Sequence, residues 1–105
     1  MSTAIRLLAG NPFAYETITV STSVKSLTNA TYGTQTTHIR AFITIEGGIM
    51  RYRYDGTNAT STVGHLVGHG DVITVEGRPN VQNFRIIRAG NQDGVIQVTY
   101  EKVSG

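Results

Sequence analysis

From Tyr15 onward, apolar and polar residues alternate with a period of two, the spacing that sends successive strand side chains to opposite faces of a sheet. In "YETITV", Ile18 and Val20 share a face against Thr17 and Thr19, and "SVKSL" continues with Val24 and Leu27 before a Thr/Asn/Gly loop, "TNATYGTQTT". "HIRAFITIE" alternates most cleanly, with Ile39, Ala41, Ile43 and Ile45 on one side and Arg40, Phe42, Thr44 and Glu46 on the other. Gly47-Gly48 reads as a two-residue hairpin turn from which "IMRYRYD" returns antiparallel, and Asp55-Gly56 turns the chain again. "DVITVEG" is a further strand, setting Val72 against Ile73 and Val75. "NFRIIRAG" and "VIQVTYEK" read as a hairpin around Asp93-Gly94. About seven or eight strands at roughly ten-residue spacing predict an all-β protein, a single antiparallel β-sandwich of jelly-roll or immunoglobulin-like kind. No stretch sustains a helical period, so helix is expected to stay under about one-tenth of the chain.

The segment before Tyr15, "MSTAIRLLAGNPF", falls outside this rhythm and is broken by Gly10 and Pro12. It is read as an N-terminal arm, residues 1–14, on a sandwich domain, residues 15–105. Its apolar side chains Ile5, Leu7, Leu8 and Phe13 have no strand rhythm of their own and are the candidate assembly interface. "IRLLAG" is too short for an apolar signal core and carries an arginine, so no secretory leader is expected, and the chain is expected to be soluble and made in the cytosol. No run approaches the roughly 20 apolar residues of a membrane span.

Composition narrows the chemistry. The chain has 105 residues, the size of one domain, with 12 glycines and no cysteine, so disulfides and thiolate metal sites are excluded. Nine Lys and Arg against seven Asp and Glu leave a net charge of +2, spread along the chain rather than gathered in the patch that a dedicated nucleic-acid binder needs. His65 and His69 stand at the H-x₃-H spacing that would pair them on a helix, but Gly64, Gly68 and Gly70 argue for a turn in which they satisfy backbone groups. The acids fall in turns (Asp55, Asp71, Asp93) or at strand ends (Glu46, Glu76, Glu101), and no nucleophile elbow or phosphate loop occurs. An enzyme is not expected, and neither a cofactor nor a metal is implied.

"IMRYRYD" is the ambiguous stretch. Met50, Tyr52 and Tyr54 share one face, and Ile49, Arg51 and Arg53 the other. The aromatic face is the better core candidate, which leaves Arg51 and Arg53 either solvated, or paired with Glu46, Asp71 or Glu76, or as a candidate ligand surface. Base-stacking sheets also combine aromatics and arginines, but they need the rings exposed.

Arg51 to Tyr54, Asp55-Gly56-Thr57, Gly64-His65-Leu66, Gly70-Asp71, Phe84 and the terminal Val98-Thr99-Tyr100 together resemble a group of small virion proteins of tailed bacteriophages. The likeness covers about residues 39–101. It departs from the pattern after Asn58, where Ala59-Thr60 replaces Pro-Thr. It implies a non-enzymatic structural protein of the virion that decorates or cements the capsid shell. Its partners would be other virion proteins and further copies of itself, with a trimer as the expected oligomer. "RYRYDGT" also resembles the strand-turn of accessory β-sandwich modules on bacterial carbohydrate enzymes. That likeness implies the alternative, a carbohydrate- or receptor-binding module of a phage tail or bacterial surface protein. Exposed aromatic rings would separate the two, because a sugar binder needs them in water.

Overall fold

A computed structural model describes residues 11–33 and 38–102. Among these residues eight strands run in chain order as β1 (Asn11–Val20), β2 (Lys25–Ser26), β3 (Ile39–Gly47), β4 (Met50–Arg53), β5 (His65–Val67), β6 (Val72–Glu76), β7 (Arg85–Arg88) and β8 (Gly94–Lys102). They form two four-stranded sheets, β1-β8-β3-β6 and β2-β7-β4-β5, packed face to face as an all-β sandwich. All pairings are antiparallel, and four of them nest: β1 with β8, β2 with β7, β3 with β6, β4 with β5. A chain folded back on itself in this way and rolled into two sheets is a jelly roll.

The long strands follow the sequence alternation. Ile39, Ala41, Ile43 and Ile45 of β3 are buried, beside Ile96, Val98 and Tyr100 of β8 and Ile73 and Val75 of β6. Met50 and Ile86 of the opposite sheet, with Phe84 just before β7, cover them, all fully buried. Leu27 and Tyr32 complete this core.

Two turn signals that read as hairpins are crossings. Gly47-Gly48 joins β3 to β4, and these strands belong to different sheets, so the chain crosses the sandwich there rather than returning alongside itself. The segment around Asp93-Gly94 makes the same kind of crossing from β7 to β8. The two crossings pack backbone to backbone: Gly47 is the register partner of Gly94, and a Cβ on Gly48 would sit 2.5 Å from Gln92 O. A Cβ on Gly94 would lie 2.5 Å from Met50 Cε and 2.6 Å from Glu46 O. These glycines mark a close approach of chains, a use of glycine that sequence cannot tell from a tight turn.

The expected arm boundary also moves. Asn11 to Ala14 already belong to β1 and pair with β8 from Asn11↔Lys102 onward, with a register shift between Pro12 and Ala14 that leaves Phe13 as the extra residue. Ile5, Leu7 and Leu8 lie outside the described residues. Helix makes up 11% of the structure, in α1 (Asn29–Tyr32) and α2 (Arg78–Asn83), neither of which the periodicity reveals. They bury one side chain each, Tyr32 and Val81, too few positions to produce a helical period. Arg40 does point away from the isoleucines as expected, yet it is only 3% exposed. Its neighbours across both adjacent strands are carboxylates: its Nε donates to Glu101 Oε1 at 2.8 Å, and Glu76 approaches to 3.8 Å.

Candidate functional site

A concavity of about 580 Å³ opens at the side of the sandwich where β4 and β5 face α2 and β6 across the gap between the sheets. Arg53, Tyr54, Asp55, Val63, Gly64, His65 and Asn80 line it. A smaller lobe of about 280 Å³ continues toward β6, and Tyr54 and Asn80 belong to both. The volume of the larger lobe lies in the range of small-molecule sites, about 300–1,000 Å³.

Local sequence holds the walls in place. Met50 and Tyr52 alternate onto the inner face as expected, but β4 ends at Arg53, and Tyr54 continues the alternation past the strand onto the rim. It is 49% exposed, so the expectation that both tyrosines are buried fails for Tyr54, while Tyr52 is half-buried. Tyr52 stacks on the buried Phe84 at 5.5 Å and meets His65 at 5.2 Å, and His65 in turn stacks on Tyr54 at 6.3 Å. The rings form a ladder from the core out to the cleft. Burial pushes the Tyr52 hydroxyl above the usual phenol range, with the neighbouring Tyr54 adding to it.

The two arginines have different fates. Arg51 reaches across the 54–64 loop, donating from Nε to Ser61 O at 3.2 Å and from Nη1 to Gly64 O at 2.9 Å, and so fastens the loop without lining the cleft. Arg53 lines the cleft and pairs with Asp55 through both Nε and Nη2. Asp55 also accepts from Thr57 N at 3.2 Å, and these donors, Arg53 first, hold its carboxyl below the usual range while the Arg53 guanidinium is held above its own. Among the described residues neither arginine pairs with Glu46, Asp71 or Glu76. Gly56 N donates to Asn83 O at 3.3 Å, which ties the same loop to α2, and the buried Ala59 anchors it from beneath.

The remaining sequence candidates separate. His69 Nδ1 accepts from Gly47 N at 3.1 Å, a backbone-satisfying role, whereas His65 sits on β5 in the aromatic ladder. Among the described residues no three His, Asp or Glu side chains gather as a metal cluster. Phe13 lies in the bulge of β1, 37% exposed, with its ring 6.5 Å from Tyr100. Comparison of the chain with protein families, curated proteins and solved structures finds no match. The site must therefore speak through its own geometry: a preformed, aromatic-walled cleft whose fixed charges are paired.

Sequence reasoning missed Tyr54, His65 and Asn80 as a group. The signal for Tyr54 was present, since Asp55-Gly56 ends the strand directly after it and leaves its ring at a rim rather than in a core. Asn80 lies on the unforeseen α2 and carried no signal.

Proposed function

We propose that the chain is a non-enzymatic structural protein of a tailed-phage virion, which assembles as an oligomer, expected to be a trimer, and decorates or cements the capsid shell. The observation that carries this reading is the free edge of β1. The strand is ten residues long, and among the described residues it pairs on one side only, with β8. Long bare edges are templates for another chain, and proteins that stay single blunt them with lysines, prolines or bulges. Here Pro12 and the bulge at Phe13 protect only the start. The one charge on β1, Glu16, turns inward to accept from Tyr100 Oη and Thr28 N, so Ala14 to Val20 present an uncharged edge. The other strands at sheet edges have only two to five residues. Ile5, Leu7 and Leu8 precede this edge in sequence and would add apolar area to the contact, with Phe13 beside it.

Architecture and likeness agree with this reading. Jelly rolls recur in viral capsid and lectin domains, a fold-level analogy and no more. The turn-and-strand pattern over about residues 39–101 resembles that of small virion proteins. Light scattering of the full chain and of a Tyr15→Lys/Thr17→Lys variant, which puts charge beside the edge, tests the reading. The expected outcome is an oligomer for the parent and a monomer with nearly unchanged melting temperature for the variant. A parent that stays monomeric at millimolar concentration and fails to co-sediment with phage particles overturns it.

A second reading, a carbohydrate- or receptor-binding module, is favoured by one observation: the half-exposed Tyr54 ring at the mouth of the cleft.

A further inference from the structure

We propose that the cleft around Tyr54 is a binding site for a neutral saccharide of at least two sugar residues, one seated on each side of the Tyr54 ring. The proposal rests on the second reading above and gives it a place and a ligand class.

Tyr54 is the partition of the site. Lobes of about 580 and 280 Å³ are both lined by Tyr54, and both by Asn80. An aromatic ring standing 49% exposed between two concavities offers flat apolar area of the kind that packs on the C–H face of a pyranose. His65, stacked on Tyr54 at 6.3 Å, and Val63, also 49% exposed, extend this apolar wall within the larger lobe.

Hydroxyl groups on the ligand need partners that donate or accept, and the walls hold them in reserve. Asn80 uses its amide nitrogen on Glu76 O at 2.9 Å, which leaves its carbonyl oxygen for a ligand. No hydrogen bond among the described residues engages Tyr54 Oη or the His65 ring nitrogens. Tyr54, His65 and Asn80 are exposed, so a ligand hydroxyl would take the place of water on each of these groups.

Charge selects the class. Arg53 is occupied by Asp55, and Glu76, in the smaller lobe, faces Arg40 at 3.8 Å. A phosphate or nucleic-acid ligand would have to break the Arg53–Asp55 pair to find its cation, whereas a neutral sugar would not. The walls are also prearranged: Arg51 fastens the loop to Ser61 and Gly64, and Gly56 ties it to Asn83, so little ordering remains for the ligand to induce.

Amide NMR titration of the full chain with maltose, cellobiose, lactose and N,N′-diacetylchitobiose at millimolar concentration is the test. At least one is expected to saturate, with shifts concentrated at residues 53–55, 63–65 and 80. Tyr54→Ala should weaken that binding by about tenfold or more with an unchanged circular dichroism spectrum, and Tyr54→Phe should stay within about threefold of the parent. Response to none of the four overturns the site. A sugar that shifts only the outer sheet face around Tyr15 and Gln97 also overturns it, while leaving the module reading standing. The module reading itself is decided separately, by adsorption of the labelled chain to host cells.

Discussion

The two sheets are built to different standards. Strands β1, β8, β3 and β6 have ten, nine, nine and five residues, and β3 keeps register with β8 along its whole length. Strands β2, β7, β4 and β5 have two, four, four and three, separated by longer loops and α2. The first sheet devotes its sequence to alternation. An apolar inner row is backed by an outer row rich in threonine, with Thr17, Thr19, Thr44, Thr74 and Thr99 among its members. The second sheet stops early, and what its strands do not cover becomes the cleft. Regular pairing supplies stability, and its interruption supplies the concave, partly wet surface where recognition can occur.

The sharpest way to break that contrast is to remove matched apolar bulk from each sheet. Ile43 is fully buried at the centre of the long sheet, and Leu66 is 55% exposed on the outer face of the short one. Ile43→Ala is expected to cost about 2–5 kcal/mol, as cavity-forming core truncations do. Leu66→Ala should stay within about 0.5 kcal/mol. Urea denaturation of both variants measures the difference. Comparable losses would mean that Leu66 is covered, for instance by a second copy of the chain, and that the short sheet is not the looser of the two.

Next in size is the corner where the sheets exchange strands, and here the limits of the sequence are clearest. The alternation of β3 was fully legible because each of its isoleucines and Ala41 is buried on one face of one sheet. Gly47-Gly48 and Asp93-Gly94 were legible as places where the chain changes direction. They were not legible as crossings, because the reason for glycine is the other crossing's backbone, remote in sequence, and no local pattern encodes it. The burial of Arg40 escapes the sequence for a related reason: its cover and its partners, Glu76 and Glu101, come from strands on either side. Of the cleft, Arg53 was legible as a surface candidate, while its neutralisation by Asp55 and the approach of Asn80 depend on how loop and helix pack. Gly48→Ala tests the corner. Its Cβ would meet Gln92 O at 2.5 Å, backbone rather than a flexible side chain, so a loss of about 1–3 kcal/mol is expected in thermal or urea melts. A neutral result would show that the two crossings can part without cost.

The smallest effect sharpens the contrast through pH. In the long sheet, the fully buried Tyr100 donates its hydroxyl to Glu16, and burial first, then that hydrogen bond, pushes its pKa far above the phenol range. Burial raises Tyr32 beside it and Tyr52 in the short sheet in the same direction. An unfolded tyrosine loses its proton near pH 10, while folded Tyr100 keeps it, so above that pH the native state binds more protons than the unfolded one. Stability contributed by Tyr100 is therefore fully present below about pH 10 and is lost as pH rises, by at most about 1.4 kcal/mol per pH unit for one proton. Tyr100→Phe removes both the titration and a hydrogen bond to a charged acceptor. It should cost about 1.5 kcal/mol at neutral pH, the low end for such a bond because Glu16 is only half-buried and keeps Thr28 N. It should also make the decline above pH 10 shallower, since one of the withheld protons is gone. Tyr52→Phe, at the open side of the sandwich, should change that slope less, because its ring is half in water. Melting temperatures of the three proteins between about pH 8 and pH 11, a window that brackets the tyrosine titration, measure the slopes. If Tyr52→Phe flattens the curve more than Tyr100→Phe, the drier environment lies in the short sheet, and the division of labour between the sheets is the reverse of the one proposed.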